Sequence, residues 1–185
     1  MTDDPKHDEP PTIPPDDPVR RLTIARPDED QSLPHIGLVG DTYTILVAGS
    51  DTNGMYTLID MHVPSGGGPP PHRHDFEEMF TVLDGEVEVT FRGESITARA
   101  GQTINVPANA PHEFHNVGEG ASRLLCLCAP AGQDEFFTLA GQPVATRTSP
   151  PPPLDPKAQA AFIAKVQSLA PQYRTEIPPP PGSNT

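Results

Sequence analysis

The 185 residues hold 25 acidic and 12 basic side chains, for a formal net charge of −13, with 35% hydrophobic residues and 26 prolines. Lys and Arg form no cluster that would track a phosphate backbone, so nucleic acid is not an expected partner. No apolar run approaches the roughly 18 residues of a membrane span. The N-terminal region lacks the basic start and apolar stretch of a secretory leader, so no membrane contact is expected and the cytoplasm is the expected compartment.

The prolines are unevenly spread. Eight precede His35, ten follow Thr148, and eight lie between. This divides the chain into an acidic, proline-rich tail over 1–35, a single packed domain over 36–148 and a proline-rich extension over 149–185. The tail, with Asp3, Asp4, Asp8, Glu9, Asp16 and Asp17, has the composition of a solvated, disordered segment.

Within the domain, residues 43–48, 55–63 and 79–83 are short β-prone runs separated by Gly-, Asn- and Asp-containing turns. Asp84-Gly85 is a hairpin signal. After it Val87, Val89 and Phe91 alternate with Glu86, Glu88 and Thr90. Arg92-Gly93-Glu94 supplies the next turn, followed by alternating Ile96, Ala98 and Ala100, then 103–106, Phe114, Val117 and 124–128. Many short strands at regular spacing predict an all-β antiparallel sandwich or barrel.

Cys126 and Cys128, two apart in the last run, point to the same side of a strand. A bridge between such neighbours is strained, so both are expected as buried free thiols. The extension differs from the domain. Pro156 near its start and apolar Ala161, Phe162, Val166 and Leu169 predict a helix over 155–170, flanked by stiff proline runs at 150–153 and 178–181 that serve as spacers.

The densest chemistry lies between residues 66 and 116. On a strand, His72 and His74 share a face, and Glu78 shares their parity if residues 75–77 do not turn. Imidazoles with a carboxylate suit a first-row divalent metal better than calcium or magnesium. The spacing resembles the two motifs of the cupin superfamily. Gly66, His72, His74, Glu78 and Gly85 match the first motif at every fixed position. Gly101, Pro107, His112 and Asn116 match the second, with Asn109 standing where the family has Gly. Asn is the side chain that best tolerates positive φ, so the turn is expected to survive.

The resemblance implies a single cupin (double-stranded β-helix, or jelly-roll) barrel with a short C-terminal helix. It also implies one divalent transition metal (Fe, Ni, Mn, Co or Zn) held by His72, His74, Glu78 and His112, and a homodimer. Similarity to flavonol-cleaving, quercetinase-like cupins further implies that Glu78 is catalytic as a general base. Strand parity makes Phe80, Val89, Phe91 and Phe114 the expected apolar substrate contacts. It turns Glu77, Glu113 and His115 outward, and His7, His35 and His62 have no assigned role.

A cationic centre in an apolar cup favours an anionic or enolisable small molecule. Three functions follow: a dioxygenase acting on an enolisable or phenolic substrate, a non-redox zinc cyclase, isomerase or lyase, and a metal-dependent small-ligand binder.

Overall fold

A computed structural model describes residues 12–178. Residues 3–9, including His7, and residues 179–181 of the last proline run lie outside the described residues. Residues 12–34 contain no helix or strand. They touch the domain through Arg147, which donates to Asp28 at 2.8 Å, and through Arg20, which donates to the Asp51 carbonyl at 2.6 Å.

The strands are β1 (His35–Leu38), β2 (Asp41–Val47), β3 (Thr57–Val63), β4 (Arg73–His74), β5 (Glu77–Asp84), β6 (Glu86–Phe91), β7 (Glu94–Arg99), β8 (Thr103–Val106), β9 (His112–His115) and β10 (Ser122–Ala129). Helix α1 (Gln133–Ala140), β11 (Gln142–Pro143), helix α2 (Pro156–Leu169) and β12 (Thr175–Glu176) complete the fold. The larger sheet runs β11-β1-β2-β3-β10-β5-β8, the smaller runs β7-β6-β9, and β12 pairs with β4. Every described pair is antiparallel.

Period-2 patterning decides which side faces the core. On β10, Leu124, Cys126 and Cys128 are buried while Arg123, Leu125 and Leu127 are half-buried. The sheets meet through interior side chains, as where the Phe80 ring of β5 stands edge-on to Phe114 of β9 at 5.2 Å between centroids. Such aromatic geometry adds about 0.5–1.5 kcal/mol to the burial itself.

Three sequence expectations need correction. Asp84-Gly85 does not close a hairpin: β5 pairs with β8 and β10, and β6 pairs with β7 and β9. The chain there crosses from one sheet to the other, and Gly85 is required at φ +75 because a Cβ would meet Ser122. The tight hairpin is the next one, where Arg92 and Gly93 both take positive φ between Phe91 and Glu94, the signature of a type I′ turn. On β7 only Ala98 is buried, and Ile96 is exposed because this strand forms the outer edge of the small sheet. Val117 lies beyond β9 and is exposed.

Helix α2 falls at the expected place. Asp155 caps it by accepting from the Ala158 amide at 2.8 Å, and Pro156 occupies the first turn. Its stripe is narrower than expected. Phe162, Val166 and Leu169 pack on the core, while Ala161 is exposed. Helix α1 was not foreseen: its two turns are too short for a clear period, although Gly132 and Gly141 bracket it and Phe136 and Ala140 bury one face.

Candidate metal centre

Backbone pairing gathers the histidines. His72 and His112 form an isolated antiparallel bridge, each amide donating to the other's carbonyl at 3.0 Å. His74 ends β4, residues 75 and 76 bend, and β5 then presents Glu78 to the interior. Asn109 takes φ +69 in the turn before β9 and donates its amide to the His74 carbonyl at 2.6 Å. The residue that departs from the motif thus ties the second motif to the first. From outside, Glu77 accepts from Asn105 and from the Ala108 amide, bracing the same turn.

The ligating atoms of His72, His74, Glu78 and His112 all lie within 4.8 Å of one another. Glu78 Oε2 is 2.9 Å from His74 Nε2 and 3.1 Å from His112 Nε2. Each imidazole is fixed from behind: Nδ1 faces a carbonyl at 2.9 Å, from Pro70 for His72, Phe76 for His74 and Ala110 for His112. A carbonyl only accepts, so Nδ1 carries the proton and the Nε2 lone pair points inward, the tautomer a metal needs. The His74 ring is further locked by stacking on Phe76 at 3.8 Å. Three inward lone pairs and a buried carboxylate call for a cation between them, and this donor set fits a divalent transition ion.

Electrostatics agree with that demand. Burial, with His112 beside it, pushes the His72 imidazole down to about 4, so it stays neutral. Burial alone would discourage the charge on Glu78, yet the adjoining imidazoles of His112 and His74 hold its carboxyl well below the usual carboxylate range. His112 moves the other way: burial opposes its charge, but Glu78 outweighs it and raises the imidazole.

Beside the cluster lies a cavity of about 100 Å³ that reaches His72, His74 and Glu78. Phe80 and Phe114 line it. Val89 and Phe91 do not: they sit on β6 directly opposite Phe114 and His112, one strand farther from the cavity. Several lining residues were missed in the sequence. Tyr43, whose hydroxyl donates to Asp41 at 3.2 Å, and Cys126 were legible by parity but had no motif. Phe136 comes from the unforeseen α1, while Phe162, Val166 and Ile177 come from the C-terminal extension, which closes the cavity from above. His115 pairs with Glu113 at 3.2 Å near the surface, and His35 is buried against Thr44, away from the site. Among the described residues no helix is long and apolar enough to cross a membrane.

Comparison with known proteins bears on the barrel. Residues 59–128 match the cupin-domain family model. Quercetin 2,3-dioxygenase of Bacillus subtilis is 27% identical over 109 residues, covering 58% of this chain and 32% of that protein. The HTH-type transcriptional regulator PuuR of Escherichia coli is 26% identical over 111 residues, covering 57% of this chain and 60% of the regulator. The chain thus spans about a third and three fifths of these relatives. Among solved structures, the polyketide cyclase RemF from Streptomyces resistomycificus superposes with a TM-score of 0.51 at 22% identity, covering 59% of this chain and 80% of that one. With the two motifs met apart from Asn109, two facing antiparallel sheets and four converging donors between them, residues 59–128 of this chain form a cupin domain.

Proposed function

We propose that the protein is a metal-dependent dioxygenase acting on a small enolisable or phenolic molecule, with His72, His74, Glu78 and His112 as ligands of one Fe, Ni, Mn or Co ion. The observation that carries this reading is the position of Glu78, whose carboxylate stands where the histidine cluster meets the apolar cavity. A divalent ion bound there would supply positive charge that favours the enolate or phenolate form of a substrate. The chain's own groups do the rest. Glu78 stands ionised beside the cavity and is the chain's acceptor for the proton that such a substrate gives up, a weak one while His74 and His112 hold its carboxyl down. Phe80 and Phe114 exclude water from the reacting side. The Nδ1 bonds to backbone carbonyls keep the imidazoles from turning away.

Size limits the substrate. The cavity of about 100 Å³ is smaller than the roughly 150 Å³ space that takes up benzene. A flavonol-sized molecule therefore enters only when the C-terminal cover moves. Similarity to the quercetinase supports the redox reading, and the metal dependence of oxygen uptake tests it. Protein loaded separately with Fe, Ni, Mn, Co or Zn is expected to consume oxygen with enolisable or phenolic substrates for at least one redox-active ion. Glu78→Gln should lower turnover more than it lowers metal content. Oxygen-independent turnover with zinc alone would replace this reading with a non-redox cyclase, isomerase or lyase.

The small cavity and the similarity to a transcriptional regulator favour a second reading, metal-dependent binding of a small acid without turnover. Tight binding with no product for any loaded metal would select it. A cytoplasmic homodimer belongs to the same proposal: Cys126 and Cys128 remain free thiols, as a reducing compartment keeps them, and sedimentation of the full chain measures the assembly.

A further inference from the structure

Glu78 has two carboxylate oxygens, and they face different company. Oε2 meets the imidazoles of His74 and His112. Oε1 meets sulfur: Cys126 Sγ is 3.3 Å away, Cys128 Sγ is 3.7 Å away, and the two sulfurs are 3.6 Å apart. We propose that Glu78 Oε1, Cys126 and Cys128 form a second, thiolate-rich metal site that shares the Glu78 carboxylate with the three histidines. Its natural occupant is a borderline or soft ion such as zinc, cobalt(II) or copper(I).

The triangle has the size such an ion needs. With metal–sulfur bonds of about 2.3 Å, two ligands of a tetrahedral ion stand about 3.8 Å apart. With a metal–oxygen bond of about 2.0–2.2 Å, sulfur and oxygen stand about 3.5 Å apart. The observed edges fall on either side of these values, so an ion fits with small side-chain adjustments. The fold explains the placement. Cys126 and Cys128 lie two apart on β10 and face inward together, and β10 pairs with β5 so that Cys128 lies opposite Glu78.

Two further observations point to a ligand. Thr57 lies opposite Cys128 across the β3–β10 pair, so its side chain shares that face. It is fully buried, and its hydroxyl has no close hydrogen-bond partner among the described residues other than the weakly accepting Cys128 sulfur beside it. A poorly satisfied buried hydroxyl costs about 1–3 kcal/mol, and conversion of the Cys128 thiol to a metal-bound thiolate would make its sulfur a stronger acceptor there. Access also exists, because Cys126 lines the cavity that serves the histidine cluster. A carboxylate bridging two ions places them about 3.5–4 Å apart, the spacing of two-metal sites. On binding, each thiol gives its proton to solvent and becomes a thiolate ligand.

Cobalt(II) titration of the full, reduced chain tests this directly, because the chain has only two cysteines and any thiolate signal must come from them. The expected result is two cobalt ions per chain and an intense near-ultraviolet thiolate-to-cobalt charge-transfer band. Cys126→Ala/Cys128→Ala should lose that band and fall to one ion. His72→Ala/His112→Ala should keep the band, which separates this site from the proposed activity. If a variant fails to fold, the wild-type titration still decides. One cobalt per chain, with or without the band, overturns the proposal, as does binding of two ions without it.

Discussion

The barrel wall that carries the histidine–glutamate cluster and the C-terminal segment that covers it are held by different forces. In the wall, His74, Glu78, His112 and Phe114 are buried, β5 and β9 are paired within the two main sheets, the His74 carbonyl is tied to the Asn109 amide, and each imidazole is fixed by a backbone carbonyl. In the cover, α2 buries no residue fully. Strand β12 contributes only the pairs Thr175–His74 and Glu176–Arg73, and the ion pairs Arg73–Glu176 and Arg174–Asp75 stand largely in water. A rigid site under a loosely held cover can open without losing its geometry. That is what a cavity of about 100 Å³ requires if even a single aromatic ring is to reach Glu78.

The largest effects should fall in the wall. His74→Ala or His112→Ala removes a ligand and leaves Glu78 buried beside fewer partners, so metal content measured after purification without chelator should fall at least about 100-fold in affinity terms. Full occupancy in both variants would place the site elsewhere. Removing α2 and β12 takes no ligand away, so metal content should survive that truncation even as apolar dyes begin to bind the opened cavity.

Packing sharpens the same contrast. Phe114 is 2% exposed between the two sheets, so Phe114→Ala should cost about 3–5 kcal/mol in denaturant unfolding. Phe162 is half-buried where it packs on the core, and Phe162→Ala should cost about half as much. It should also enlarge the cavity and relax selection for small substrates. Equal costs would mean that the cover is as integral to the core as the wall.

A third test uses Asp41, fully buried at the start of β2, where burial pushes its carboxyl up to about 7 against the pull of the Tyr43 hydroxyl and the Gly68 amide. Between about pH 4 and 7 the folded chain keeps this proton while the unfolded chain has lost it. The unfolded state therefore binds fewer protons, and stability falls as pH rises through that window. The full effect is about 4 kcal/mol. Asp41→Asn should remove this slope and leave the variant more stable than wild type at pH 8, as read by urea midpoints. An unchanged slope would mean that Asp41 is ionised in the folded state.

How much of this was legible beforehand follows from where the information sits. The spacing of His72, His74, Glu78 and His112 was legible through the motif rather than through strand parity: residues 75 and 76 bend, so no single strand carries the first three, and the structure still brings the four together. Asn109 was legible because left-handed backbone restricts side-chain choice. By contrast, Asp84-Gly85 carries the same local signal whether it joins paired strands or moves the chain between sheets, and only long-range pairing separates the two. Parity put Val89 and Phe91 on the same side as Phe114, but it does not say that the cavity opens on the far side of Phe114. Strands as short as β4, β11 and β12 hold too few residues for any period. The two faces of Glu78 were invisible for a related reason, since β10 meets β5 about fifty residues later in the chain.

The smallest expected effect concerns the clasp of the cover. Arg73 donates through Nε to Glu176 at 2.8 Å, with the two side chains 51% and 63% exposed. At that exposure, solvent and salt screen most of the attraction, so Arg73→Ala or Glu176→Gln should change global stability by less than about 1 kcal/mol. The consequence is local. Arg73 precedes His74 of the histidine cluster, and Glu176 follows Thr175, whose hydroxyl accepts from Gln133 of α1 at 3.2 Å. Loosening the clasp should therefore free β12 while leaving β4 tied to Asn109 and the metal site intact. Hydrogen exchange should accelerate at the amides of residues 174–177, with those of Leu124 and Cys126 unchanged, and the gap between wild type and variant should close in high salt. Equal acceleration in β10 would show that cover and wall open together, and the distinction between them would fail.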